Sequence, residues 1–447
     1  MAHSNLNSVE PGAPDNSSLL RGDTLRITAM RGLRQVAYGM MAVILAIALT
    51  RAGLSAIAIG LLVSVSLAGD LFGTLVIGRW ADHWGRRRTL TVLALLMTVT
   101  GLIFGLAGLF NLARWYPVLL VAAFFGTLGT SASETAPFLP IEQAMLGQAG
   151  KSQDRTRRFA GYNFVAVFAG ALGALIAGLP DLALRYGVPM PVSLEFSFAL
   201  YAVVALVVAL LASRLSSAVE APTVAQSMPL PVGARAVVSR DDPPHKMRPR
   251  LFPSLPHSRR VVLQLSSLFS LDAFAGGLVA QTLMALFFHL RFGVSLGLLA
   301  VLFFGANLLS ALSFLAAPAL ARRFGLLNTM VFTHLPSNLL LILVPLMPTF
   351  VLAAALLLLR QTLSQLDIPT RQSYTMALVT PEERTAAASA TSVARSAGAA
   401  TSPALAGVLL QGSFLVFGAP FLIAGGLKAT YDLSLWALFR RVRLPGN

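Results

Sequence analysis

The stretch GRWADHWGRRRTL, residues 78–90, is a short and strongly charged connection between two long apolar runs, residues 54–77 and 89–110. A helix that crosses a bilayer needs about 20 apolar residues, so each run is long enough to span a membrane. A connection this short makes the two helices antiparallel neighbours. Because cytoplasmic loops are enriched in lysine and arginine, its four arginines place this turn on the cytoplasmic side.

The composition of the whole chain is that of a membrane protein. Hydrophobic residues make up 56% of the chain and charged residues 12%, whereas soluble globular domains are about 25% charged. Apolar runs recur along almost the whole length, which predicts a polytopic membrane protein. The chain has no cysteine, which excludes disulfides and thiolate metal sites.

The formal net charge of +16 follows membrane topology rather than nucleic-acid binding. Arginine and lysine collect in every second connection, and the connections between them carry only Arg51, Arg114, Arg185 and Arg291. This alternation predicts that both termini and the long central connection are cytoplasmic. We therefore expect a multi-pass protein of a bacterial-type inner (cytoplasmic) membrane, with no nucleic-acid partner.

Twelve spans account for the apolar runs, and they fall into two groups of six separated by a proline-rich, basic linker. The predicted spans are 32–50, 54–78, 89–110, 116–146, 159–179, 193–213, 260–289, 295–320, 325–347, 350–379, 385–410 and 414–439. The predicted domains are a disordered cytoplasmic N-terminus (1–30), an N-terminal six-helix bundle (31–214), the cytoplasmic linker (215–258), a C-terminal six-helix bundle (259–441) and a cytoplasmic tail (442–447).

The two groups of six spans repeat each other in sequence. A constant shift carries residues 140–143 onto residues 369–372 (369 − 140 = 229). Around spans 2 and 8 the shift is longer, and it carries residues 53–55 onto residues 293–295 (293 − 53 = 240). Halves separated by an even number of spans have the same orientation. The sequence therefore predicts a parallel repeat with a site between the halves near mid-depth.

The spacing G-x-x-x-D-x-x-G-R-R-R in residues 78–88 resembles the loop 2–3 signature of the major facilitator superfamily of transporters. Together with the span count, the repeat and the central linker, this resemblance covers residues 30–440. It implies an all-α membrane protein of 12 transmembrane helices, arranged as two six-helix bundles related by a parallel pseudo-twofold axis. Within the superfamily the chain is similar to the drug-efflux-like, 12-span branch.

The resemblance also assigns a gating motif. Asp82 matches the aspartate that contacts the helices of the other half and releases them when the transporter changes between outward- and inward-open. Gly78 and Gly85 match the turn glycines, and Arg86 and Arg87 match the basic pair. The physical logic is that a carboxylate next to a facing helix end can hold two rigid bodies together and let go.

Ionisable residues inside the spans cost several kcal/mol unless they are paired or hydrated, and they mark functional sites. Asp272 and Glu134 have no partner on their own helices, so they are the proton-coupling candidates. The candidate substrate-cavity residues, most of them on one face of span 10, are Arg360, Ser364, Asp367 and His334. Two pairs at i, i+4 spacing, Asp367–Arg371 and Lys428–Asp432, are expected to be simple ion pairs within one helix.

The chain carries no Walker A loop, no HExxH motif and no zinc-ligand spacing, so we expect no enzyme activity, no cofactor and no metal. The expected function is secondary active transport by alternating access, with proton-coupled export of a small organic compound favoured. One alternative, indicated by Arg360 and Arg395, is proton-coupled uptake of an organic anion or metabolite. Another is a non-transporting receptor or lipid-handling protein on the same fold. The expected partners are a small-molecule substrate, protons and membrane lipids, with the monomer as the functional unit.

Overall fold

The structure, a computed structural model, describes residues 16–110, 113–130, 137–148, 155–220, 258–380, 383–412 and 417–442. Regular secondary structure in these ranges is α-helical apart from short 3-10 turns. The helices are α1 (Asn16–Arg51), α2 (Ala56–Trp84), α3 (Arg86–Phe110), α4 (Tyr116–Phe125), α5 (Phe138–Gln148), α6 (Arg155–Ile176), α7 (Leu179–Arg185), α8 (Met190–Ser213), α9 (Arg259–Leu278), α10 (Gln281–Phe292), α11 (Leu296–Phe324), α12 (Leu326–Leu343), α13 (Phe350–Ser364), α14 (Asp367–Leu378), α15 (Arg384–Leu410) and α16 (Ala419–Phe439).

These helices form two sets of six spans, which we call the N half (α1–α8) and the C half (α9–α16). Nine stretches of the described residues are long and apolar enough to cross a membrane. The other three predicted spans lie on α4 with α5, on α15 and on α16. The all-α, twelve-span prediction is confirmed, and the structure adds that four spans are each built from two successive helices.

Proline and glycine account for the interruptions in span 4 and span 7. In span 4, α4 ends at Phe125, directly before Gly126, and α5 begins directly after Pro137. Proline cannot donate a backbone hydrogen bond and clashes with the preceding turn, so it begins a helix more readily than it continues one. In span 7, α9 ends one residue after the pair Gly276 and Gly277, and α10 resumes at Gln281. Glycine weakens a helix interior for a different reason, because it loses more conformational freedom on folding than any other residue.

The sequence repeat has a structural counterpart in the turns of the two halves. The sharp turn between α2 and α3 is made by Gly85 at φ +95°, and the turn between α11 and α12 by Gly325 at φ +81°. The start of α2 is capped by the Ser55 side chain, and that of α11 by Ser295. Both pairs obey the predicted shift (325 − 85 = 240 and 295 − 55 = 240). Positive φ favours glycine, so the two halves use glycine for the same backbone conformation at equivalent turns.

The N-terminal boundary and the linker boundary differ from prediction. Helix α1 begins at Asn16, inside the segment 1–30 that was expected to be disordered. Its first turns are held because Asp23, which is 1% exposed, accepts hydrogen bonds from the backbone N–H and the hydroxyl of Ser216. Residues 215–220, expected to belong to a free linker, therefore pack against the N half. The rest of that linker, 221–257, lies outside the described residues.

The two halves are closed against each other at one end. We call the end where α1 begins and α2 ends the inner end, which is expected to face the cytoplasm, and the opposite end the outer end. Helix α2 packs on α15, α6 on α11 and α1 on α10. Three hydrogen bonds of the described residues cross between the halves, all toward the outer end: Ala404 N to Ser64 Oγ (2.9 Å), Thr282 Oγ1 to Thr130 O (2.8 Å) and Gly297 N to Asp181 Oδ2 (2.7 Å).

Burial along the central helices supports a closed outer end. Residues 37–49 of α1 and residues 277–288 around the start of α10 are buried without exception. An amphipathic helix leaves one face exposed, so a run that is buried all round must be enclosed by other helices. Near the inner end, both α1 and α9 alternate between buried and exposed residues.

Candidate functional site

A cluster of charged side chains lies at mid-depth in the C half, centred on Asp272 of α9. Asp272 is 4% exposed and lies about 20 Å along the helix from Arg259, at 1.5 Å per residue. Its carboxylate contacts three cations from three other helices. These are Lys428 Nζ at 2.5 Å, Arg395 Nη1 at 3.1 Å and Arg371 Nη1 at 3.3 Å. Asp272 has no partner on its own helix, as predicted, but the three cations from other helices were not foreseen.

The cluster continues through Arg371 to a second acid. Arg371 also contacts Asp367, one turn earlier on α14, at 2.8 Å. This ion pair within one helix matches the prediction. Arg371 therefore joins two carboxylates, and it ties α14 to α9.

The predicted pair Lys428–Asp432 does not form. Lys428 contacts Asp272 instead, while Asp432 accepts hydrogen bonds from His334 Nδ1 at 2.9 Å and from Asn338 Nδ2 at 2.8 Å. Helix α16 packs against both α9 and α12, so each side chain finds a partner on the helix it faces. His334 is thus a buried partner of Asp432, and its predicted place in the substrate cavity stays a prediction.

Arg360 and Ser364 both donate hydrogen bonds to the side chain of Gln361. Arg360 Nη1 donates to Gln361 Oε1 at 2.9 Å, and Ser364 Oγ donates to the same oxygen at 2.7 Å. Arg360 is 8% exposed, and its Nε has no hydrogen-bond partner among the described residues. Among the described residues, no carboxylate lies within ion-pair distance of the Arg360 guanidinium. Arg360 is therefore a buried cation stabilised by an amide.

The N half contains a buried ion pair that the sequence patterns did not predict. Arg34 of α1 binds Glu142 of α5 through two hydrogen bonds of 2.6 and 2.9 Å, and Tyr162 donates a third to Glu142 at 2.5 Å. The Arg34 guanidinium also lies over the ring of Phe138, 4.2 Å from its centroid. The repeat contained a signal for this site, because the shift of 229 residues places Glu142 on Arg371 (371 − 142 = 229).

Asp70 is a second buried acid of the N half. It lies at the middle of α2, on the helix that packs against α15, and is 6% exposed. Within the described part of the chain, its Oδ1 atom has no hydrogen-bond partner. Asp70 falls within predicted span 2 (54–78), and no sequence motif assigns it a role.

The gating motif is described only in part. The backbone of this helix is described, but the Asp82 side chain and the surroundings of Gly78 are not, so the gate assigned to Asp82 stays a prediction. Gly85 makes the expected turn. The backbone N–H groups of Arg86 and Arg87 donate to the Glu220 carboxylate, at 2.6 and 3.2 Å.

The side chains of this basic pair also reach the segment that follows α8. Arg87 Nη1 donates to Leu215 O at 3.2 Å, and Arg86 Nη1 lies 3.5 Å from Val219 O. These contacts hold the end of α8 to the turn between α2 and α3, within the N half. Glu134, the other proton-coupling candidate, lies outside the described residues.

At the outer end, a carboxylate of one half caps a helix of the other. Asp181 of α7 accepts the backbone N–H of Gly297, in the first turn of α11, at 2.7 Å. Free N–H groups and the helix dipole make this a favourable place for a negative charge. Beside it lies a cavity of about 310 Å³, whose charged or titratable lining residues are Arg51, Arg185, His289 and Asp181 itself.

Two repeated sets of six spans, closed at one end, with buried charges at mid-depth, are the architecture of a secondary transporter. The chain belongs to the Major Facilitator Superfamily, whose family model matches residues 28–366. It is an integral multi-pass membrane protein and a transporter rather than an enzyme. The family resemblance seen in the sequence is thereby confirmed.

The individual proteins that the chain resembles have low sequence identity to it. The chain is 27% identical over 418 residues to the uncharacterized membrane protein YJR124C of Saccharomyces cerevisiae, covering 91% of this chain and 92% of that protein. Among solved structures it is similar to the nucleoside transporter NupG (13% identity, TM-score 0.69, 94% of this chain and 99% of that chain). It is also similar to the xylose transporter XylE from E. coli in an inward open conformation (13%, 0.69, 96% and 97%). At these identities the structures show a shared fold.

Proposed function

We propose that the protein is a proton-coupled secondary transporter of a small organic compound, working by alternating access, and that its direction is export. The observation that carries the proposal is the Asp272 cluster, in which one carboxylate binds cations from three other helices. Buried ionic groups at membrane depth are costly and are typical of proton and substrate pathways. Export is favoured by the resemblance of the chain to the drug-efflux-like branch, and a bacterial-type inner membrane stays the expected location.

Helix α15 provides the link between this cluster and the closure of the halves. It carries Arg395, which contacts Asp272, and it also carries Ala404, which binds Ser64 of the N half. A proton on Asp272 removes the charge that holds Arg395, whose side chain at 33% exposed is the most open of the three cations. The change in charge is then transmitted along one helix to the contact between the halves.

Asp70 joins Asp272 and Glu134 as a proton-coupling candidate. It is a carboxyl group buried at mid-depth, and among the described residues no cation forms an ion pair with it. An acid in this setting gains more from taking up a proton than an acid already compensated by cations. Asp70 lies on α2, the partner of α15, so one helix of this interface carries a candidate acid and the other carries Arg395, which contacts Asp272.

Proton flux in proteoliposomes tests the proposal. The purified protein is reconstituted with an internal pH dye, and candidate compounds are offered under an imposed proton gradient. We expect substrate-dependent proton flux that is lost in Asp272→Asn and reduced in Asp70→Asn or Glu134→Gln. Glu195→Gln, which removes a carboxylate near the outer end of α8, is the matched control and retains flux. Flux that survives all three test substitutions overturns the coupling assignment.

Uptake of an organic anion is the second candidate function. The observation in its favour is the excess of cations over carboxylates in the C half. Expression in cells decides the direction, because an exporter depletes the compound and an uptake system accumulates it. Accumulation of the compound overturns export.

A further inference from the structure

The charged side chains at mid-depth in the C half do not cancel, because one-third-exposed Arg395 adds a fourth cation to three buried cations and three buried carboxylates. Four cations, Arg360, Arg371, Arg395 and Lys428, face three carboxylates, those of Asp272, Asp367 and Asp432. The formal balance is 4 − 3 = +1, with His334 counted as neutral. An uncompensated charge in a low-dielectric interior is unfavourable, so a group that restores neutrality binds strongly.

The distribution of contacts shows where the surplus lies. Asp272 already has three cations, and Asp367 binds Arg371. Asp432 is bound by His334 and Asn338, which are not permanent cations. Arg360 is consequently left with the amide oxygen of Gln361 as its acceptor. The surplus cation is therefore Arg360. Arg395 is only partly compensated as well, because it shares the Asp272 carboxylate with two other cations.

Both guanidinium groups interact with the Asp272 carboxylate, Arg395 by direct contact and Arg360 only at longer range. Arg395 contacts Asp272 at 3.1 Å, and Arg360 interacts electrostatically with Asp272 and Asp367 at longer range. Arg395 is one-third exposed although it contacts a buried acid, so it borders open space inside the bundle. Because the halves are closed at the outer end, a ligand reaches Arg395 from the inner end.

We propose that the substrate carries an anionic oxygen group, a carboxylate or an oxyanion of similar geometry, which binds Arg395 and is neutralised by the surplus charge of Arg360. Guanidinium presents its N–H groups in a planar fork that matches carboxylate and phosphate oxygens. This inference rests on the proposed transport function and adds the class of substrate.

Ligand-induced stabilisation of the purified full-length protein tests the proposal. The probes are acetate, benzoate and succinate, each compared with its own amide (acetamide, benzamide and succinamide) at about 10 mM, well above a millimolar Kd. A ligand that binds only the folded protein raises the unfolding temperature. We expect at least one carboxylate to raise it and its amide to leave it unchanged.

Substitutions locate the effect. The shift disappears in Arg395→Gln and Arg360→Gln, and it persists in Arg360→Lys, which keeps the charge. It also persists in Arg323→Gln, which removes an exposed arginine at the inner end of α11. The proposal is overturned if carboxylates and amides act alike, if no carboxylate acts, or if the shift persists in both glutamine variants.

The same experiment separates this inference from the proposed function. Carboxylate binding without substrate-dependent proton flux supports the anionic site and overturns proton coupling. Proton flux driven by a neutral or cationic compound, with no effect of carboxylates on stability, overturns the anionic site and leaves proton-coupled transport standing.

Discussion

The Arg34–Glu142 pair is fully buried, with both side chains 0% exposed. Two hydrogen bonds join its charged groups, and the Tyr162 hydroxyl occupies another position on the carboxylate. A buried pair of this kind contributes little compared with a well-packed apolar pair, but a single remaining charge is strongly unfavourable. The pair therefore makes α1 and α5 dependent on each other.

Removing one partner of this pair is expected to cost more than removing both. Arg34→Met leaves the Glu142 carboxylate buried without its cation and lowers the free energy of unfolding by about 3–5 kcal/mol. The double variant Arg34→Met/Glu142→Leu recovers most of the loss. Denaturant unfolding in detergent measures both. Arg26→Met, which removes a partly exposed ion pair with Asp23, is the control and costs about 1 kcal/mol or less. Equal losses in the single and double variants would contradict this account.

The cations around Asp272 predict a similar asymmetry. Lys428→Met leaves Asp272 with two arginines, whereas Asp272→Asn leaves three cations facing a neutral amide. We expect Asp272→Asn to lower the unfolding temperature more than Lys428→Met does, measured by thermal unfolding in the same detergent. If Lys428 were paired with Asp432, as its i, i+4 spacing indicated, Lys428→Met would be the more damaging change and Asp272→Asn would be mild.

At the scale of elements, the start of α3 depends on a residue far away in sequence. Glu220, which follows α8, accepts the first two backbone N–H groups of α3, those of Arg86 and Arg87. Side-chain caps and negative charges near a helix N-terminus are each worth about 1 kcal/mol. Glu220→Ala is therefore expected to lower the free energy of unfolding by about 1 kcal/mol, measured by denaturant titration. Glu195→Ala, which removes an acid that caps no helix, serves as the control, and an equal loss there would count against the cap.

Sequence patterns predicted the elements well and the partners poorly. Apolar runs gave the twelve spans, and the repeat predicted that Gly85 and Gly325 occupy equivalent turns, because helix length and positive φ are local properties. The partners of Lys428, Asp432 and Glu142 lie on other helices, and a single sequence carries no information on helix rotation. The i, i+4 rule succeeded for Asp367–Arg371 and failed for Lys428–Asp432, where partners on neighbouring helices competed.

At the scale of the whole molecule, the closure of the two halves at the outer end depends on close backbone contact and one charged hydrogen bond. Gly60 of α2 and Gly407 of α15 pack so closely that a Cβ added to Gly60 would lie 2.9 Å from the Gly407 Cα. Asp181 adds the hydrogen bond to Gly297 that holds α7 to the start of α11. The loop 2–3 motif predicts a carboxylate latch at Asp82 on the inner end, and the described residues contain such a contact at the outer end.

Removing the charge of Asp181 is therefore expected to open the outer end more often. Asp181→Asn keeps the shape of the side chain but weakens its interaction with the helix N-terminus, which is worth about 1 kcal/mol. A loss of about 1 kcal/mol from the closed state increases the outward-open fraction about fivefold while that state is rare.

Because the chain has no cysteine, Leu296→Cys provides a single reporter that is 3% exposed at this closed end. We expect a membrane-impermeant maleimide to label it faster in the Asp181→Asn background. Glu195→Gln, an acid substitution at the outer end that leaves the contact between the halves intact, should not change the rate. Equal labelling rates in all three backgrounds would show that Asp181 does not hold the halves together.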